Sequence, residues 1–63
     1  MRTYDVHHIK EDYTETIEAD KIHAIYGLIE FQIFDEEMSK YNEYENYRTI
    51  AIRQDCNVTE IKE

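Results

Sequence analysis

Strict alternation over Leu28–Phe34 limits this chain more than any other feature. The segment reads LIEFQIF. In an extended backbone Ile29, Phe31 and Ile33 share one side, and Leu28, Glu30, Gln32 and Phe34 share the other. A helix would turn Phe31 away from Ile29 and Ile33, so the pattern selects a strand. Its second side is apolar at both ends and polar in the middle, as in a central strand whose outer face is partly covered by its neighbours. The same period recurs in shorter runs. Over 3–9, Tyr4, Val6 and His8 oppose Asp5, His7 and Ile9. Over Tyr13–Ala19, Ile17 and Ala19 oppose Thr14, Thr16 and Glu18. Residues 22–26 and 58–62 are further candidates, and over 48–54 Ile50 and Ile52 alternate with Thr49, Ala51 and Arg53.

Turn chemistry separates the runs. Lys10-Glu11-Asp12 and Asp20-Lys21 are polar breaks. Gly27 is the only glycine, able to take positive φ at no steric cost, and it marks a tight hairpin. Asp55-Cys56-Asn57 reads as a three-residue turn with Asn57 in the left-handed conformation. Residues 35–46, DEEMSKYNEYEN, break the alternation and leave two alternatives, a short helix capped by Asp35 or an acidic loop. The expectation is one small, mostly β domain over residues 1–63. It has five or six short strands in meander order, arranged as a small sheet or an SH3-like barrel, with at most one short helix around residues 35–46.

Charge and cysteine content narrow the function. Fifteen acidic residues against seven basic ones give a net charge of −8. Such a chain lacks the cations that neutralise nucleic-acid phosphates, so direct nucleic-acid binding is not expected. No apolar stretch is long enough to cross a membrane, and no basic-then-apolar leader is evident. The single cysteine, Cys56, excludes an internal disulfide, and a small secreted domain normally carries several. A cytoplasmic setting follows as the expectation.

Core size points to self-association. Val6, Ile17, Ala19, Ile22, Ala24, Ile29, Phe31, Ile33, Ile50, Ile52 and Val58 are the inward candidates. Chains this short usually need disulfides, a metal or an oligomer beyond their core. Tyr4, Ile25, Tyr26, Leu28 and Phe34 fall on nominally outward faces, and Ile25, Leu28 and Phe34 are the expected homo-oligomer interface.

Catalytic constellations are weak. His7 and His8 are adjacent, so on a strand they point to opposite faces and do not share an ion readily. No metal or other cofactor is expected. Glu36-Glu37 and Glu43/Glu45 lack a concave, desolvated setting that would separate two pKa values, and Cys56 beside Asp55 has no cation to activate it. No enzyme activity is expected. What stands out is Tyr41, Tyr44 and Tyr47 spaced by three among carboxylates. Aromatic residues anchor interface centres, and surrounding acid complements a basic partner. Glu36, Glu37, Tyr41, Glu43, Tyr44 and Glu45 are therefore the candidate partner-binding residues. Tyr47 and Arg48 stacking a base, with Arg53 on a phosphate, form an alternative ligand site between subunits.

The runs TIEADKI from Thr16, LIEFQIFD from Leu28, TIAI from Thr49 and VTEIK from Val58 resemble the short acidic β-meander proteins encoded by bacteriophages and prophages. The likeness covers roughly residues 13–63, and the tyrosine-rich insert before the fifth strand departs from it. The resemblance implies a protein of the host bacterial cytoplasm, where some such proteins inhibit a host enzyme or immune effector and others sequester a signalling nucleotide. With the acidic, tyrosine-rich segment, the expectation is a non-enzymatic inhibitor of a host protein that has a basic surface. The alternatives are an oligomeric sponge for a small ligand such as a nucleotide, and a self-assembling structural or regulatory protein.

Overall fold

The computed structural model describes residues 1–37 and 46–62. Six strands carry the fold: β1 (Arg2–His8), β2 (Tyr13–Ala19), β3 (Lys21–Ile25), β4 (Leu28–Phe34), β5 (Tyr47–Gln54) and β6 (Cys56–Ile61). They form two three-stranded antiparallel sheets, ordered β2-β1-β6 and β3-β4-β5, and the sheets do not close into a barrel. The second sheet is a meander. The first is not, because β6 returns to pair with β1, Val58 opposite Val6.

Only one residue separates β2 from β3, and only one separates β5 from β6. Each pair is one long strand that bends and passes from the first sheet into the second. Asp20 makes the first corner. Its amide donates to Gln32 O at 2.8 Å, and its Oδ2 accepts the Phe34 amide at 2.7 Å. Asp55 makes the second corner at φ 53°, a left-handed conformation that aspartate tolerates better than most residues. Its carbonyl accepts the Ile9 amide at 3.3 Å, and Lys10 Nζ lies 3.6 Å from its carboxylate. The expected three-residue turn is therefore this one residue. Cys56 and Asn57 already belong to β6, opposite His8 and His7.

Pairing fixes which side chains face inward. Tyr4, Val6 and His8 of β1 stand opposite Ile17, Glu15 and Tyr13 of β2. Tyr4, Val6, Ala19 and Phe31 form the buried core, with Ile17, Ile29, Ala51, Cys56 and Val58 packed against it. Tyr4 and Phe31 meet edge to face, ring centroids 5.9 Å apart, and so join the central strands of the two sheets. Tyr4 is thus a core residue at 3% exposure, not an outward one.

A bulge corrects the expected parity of β5. Ala51 opposes Phe31, but Thr49 opposes Gln32, which leaves Ile50 as the extra residue. Ala51 and Arg53 therefore share the face of Phe31 and Ile29. Ile52 sits opposite Glu30 on the outer face, and Ile50 and Ile52 are 43% and 50% exposed rather than inward. Ile22 and Ala24, also expected inside, are exposed on the edge strand β3.

Tyr26 and Gly27 join β3 to β4, both at positive φ, 49° and 77°. This is the two-residue turn whose twist matches the strands on either side. Nothing lies within 4 Å of where a Gly27 Cβ would stand, so glycine serves the dihedral and not the space. Tyr26 bears the same conformation with a side chain that is almost wholly exposed. Asparagine occupies this region more readily. Tyr26→Asn is expected to raise stability by about 1 kcal/mol, seen as a higher urea midpoint with unchanged slope.

Candidate functional site

Two places gather side chains of chemical interest. The first is a polar clamp between the sheets. Because Glu15 stands opposite Val6, its carboxylate points inward toward the second sheet. It accepts three hydrogen bonds from Arg53, from Nε at 3.2 and 3.1 Å and from Nη2 at 3.0 Å. His8, buried on β1, donates from Nε2 to the same carboxylate. Tyr13 stacks on the His8 ring at 4.4 Å and 11°. The remaining Arg53 Nη1 donates to Ile52 O at 2.9 Å.

Arg53, and after it His8, hold the Glu15 carboxyl below the usual glutamate range, and Glu15 in turn raises Arg53. Burial pushes the Cys56 thiol up, against the pull of Arg53. A raised thiol is a poor nucleophile. An open hollow of about 320 Å³ lies beside the clamp, lined in part by His8, Lys10, Arg53 and Asp55. Among the described residues no three potential ligands converge to hold a metal ion. His7 and His8 do point apart: His7 Nδ1 and the Thr14 hydroxyl are hydrogen-bonded at 3.1 Å on the outer face.

The second place is the far end of the β3-β4-β5 sheet. Phe34 and Tyr47 face each other across the last rung, edge to face at 6.0 Å, and both rings are more than a third exposed. Lys21 reaches over from β3 and sets its ammonium 3.9 Å above the Tyr47 ring. Arg48 pairs with Asp35, Nε to Oδ2 at 3.6 Å. The Asp35 amide donates to Asn46 O at 2.7 Å, which brings these two residues together at this point. Asp35 Oδ1 accepts the Glu37 amide at 3.0 Å. Glu36 and Glu37, two and three residues past Phe34, are exposed. Tyr41, Glu43, Tyr44 and Glu45, and the question of helix or loop beyond Glu37, lie outside the described residues.

The residues expected to act together are partly separated. Tyr47 and Arg48 begin β5 and Arg53 nears its end, roughly 15 Å away at strand rise. One chain therefore does not bring them to one ligand. Ile25 and Leu28 are cross-strand partners, and Ile52 lies near them on the same outer face. Phe34 shares that face but stands six residues along β4, with Glu30 and Gln32 between. The clamp of His8, Glu15 and Arg53 escaped the sequence reading. Its one signal was the parity of Glu15, which alternates inward with Ile17 and Ala19.

The chain was compared with protein-family models, with curated proteins and with solved structures, and none of the three comparisons produced a match. No helix among the described residues is long and apolar enough to cross a membrane.

Linkage ties the clamp to acid stability. Because the folded state depresses Glu15, its contribution is complete above the ordinary glutamate value near 4 and is lost as pH falls through the lower, folded value. Glu15→Gln is expected to cost about 1–2 kcal/mol at neutral pH. It should also flatten the fall in stability below pH ~4, measured by urea melts across the acid range.

Proposed function

We propose that this chain is a non-enzymatic protein–protein interaction module that docks a basic partner surface at the Phe34–Tyr47 end of its second sheet. The observation that carries the reading is the half-exposed aromatic pair, with the exposed Glu36 and Glu37 two and three residues beyond Phe34 in the chain. A rigid ring covered on binding supplies contact area at low entropic cost, and a carboxylate rim on a chain of net charge −8 attracts a cationic surface. Tyr41, Glu43, Tyr44 and Glu45, in the segment of sequence between β4 and β5, are of the same aromatic and acidic types. The resemblance to phage meander proteins supports a host bacterial protein in the cytoplasm as the partner and inhibition as the outcome.

The ligand-sponge reading draws less support. A phosphate-binding site needs uncommitted cations, whereas Arg53 is engaged by Glu15, Arg48 by Asp35, and Lys21 by the Tyr47 ring.

The test is affinity capture from bacterial lysate on three columns. They carry the native chain, the double variant Phe34→Ser/Tyr47→Ser and the double variant Glu36→Lys/Glu37→Lys. The expected outcome is a basic protein retained by the native chain, lost on both variants and released by raised salt. Retention that both variants leave unchanged contradicts the reading.

A further inference from the structure

Four strand edges border the two sheets, those of β2, β6, β3 and β5. An open edge presents unpaired amides and carbonyls, and natural proteins guard it with charge, proline or a bulge. β2 carries the exposed Glu18, and β6 carries Glu60. β5 has the bulge at Ile50. β3 reads KIHAI, with no carboxylate, no proline and no register shift. All five of its residues are exposed.

Its two polar side chains do not guard the edge. Lys21 folds back across β4 onto the Tyr47 ring, and His23 Nδ1 lies 3.5 Å from Glu30 Oε2 on β4. Both lean inward over their own sheet. Because Ile25 and Leu28 close a two-residue hairpin, the antiparallel alternation turns the Ile22 and Ala24 amides away from β4. The groups that an incoming strand would meet are therefore those of Ile22 and Ala24.

We infer that β3 pairs edge to edge with β3 of a second copy of this chain, antiparallel about a dyad at His23, to join two three-stranded sheets into one of six strands. In that register Ile22 faces Ala24 of the second copy, and each such pair exchanges two backbone hydrogen bonds. Lys21 faces Ile25 of the second copy, so no lysine opposes a lysine. Charge favours a second copy at this edge in particular. Two chains of net charge −8 repel, and β3 is the edge without acid or bulge through which they approach at least cost. Need favours it too: the buried hydrophobic core among the described residues is four side chains, the single cysteine allows no internal disulfide, and Ile22 and Ile25 remain 39% and 41% exposed.

Sedimentation equilibrium of the full chain, from low to high micromolar, tests this. The mass should rise from 7.7 kDa toward twice that value. His23→Lys, which sets two ammonium groups against each other at the dyad, should return it to 7.7 kDa with an unchanged far-ultraviolet spectrum. Ala24→Pro removes an amide that β4 does not use and should do the same. Hydrogen exchange at two concentrations is the independent readout, with the Ile22 and Ala24 amides becoming protected in the concentrated sample. A monomer throughout overturns the inference. So does a dimer that survives both variants, or one that Phe34→Glu dissociates while His23→Lys does not.

Discussion

Two aspartate corners hold this small fold together. With four buried hydrophobic residues among those described, the two sheets have little contact area to keep them face to face. The chain instead runs through both. β2 continues into β3 at Asp20, and β5 continues into β6 at Asp55, so neither sheet peels away without bending a strand that belongs to the other. Each aspartate also anchors its corner, Asp20 through the Phe34 amide and Asp55 through the Ile9 amide. The Tyr4–Phe31 contact and the Glu15–Arg53 clamp then act at short range between surfaces already brought together.

That construction separates the structural charges from the surface ones. Glu15, Arg53, Asp20 and Asp55 are spent on joining the sheets. Other described carboxylates lie on the surface, Glu11 and Asp12 in the turn after β1, Glu18 on β2, and Glu36 and Glu37 after β4. The clamp is chemically stable rather than reactive: its carboxyl is held below the usual glutamate range, its guanidinium is engaged by Glu15 and the Ile52 carbonyl, and burial raises the nearby thiol. A site of that kind suits fixation of the fold, and the proposed recognition surface is the aromatic end of the second sheet instead.

Much of this was legible in the residues. Tyr13–Ala19 and Leu28–Phe34 were read to the residue because their alternation is undisturbed and polar breaks flank them. The hairpin at Gly27 followed from the one residue free to take positive φ. What failed did so for physical reasons. A bulge adds a residue without leaving a compositional trace, so Ile50 and Ile52 were turned the wrong way. The β1–β6 pairing joins the two ends of the chain, and no local pattern encodes it. Glu15 and Arg53 are 38 residues apart, and only the corners bring them together.

Native-state hydrogen exchange tests the claim that the shared strands make one cooperative unit of two sheets. The amides in the central strands β1 and β4 report one sheet each. In increasing subdenaturing urea, the account predicts that both converge on a single opening free energy and a single slope. If β4 exchanged through a separate, lower-energy opening while β1 stayed protected, the sheets would be independent units, and the corners would be no more than linkers.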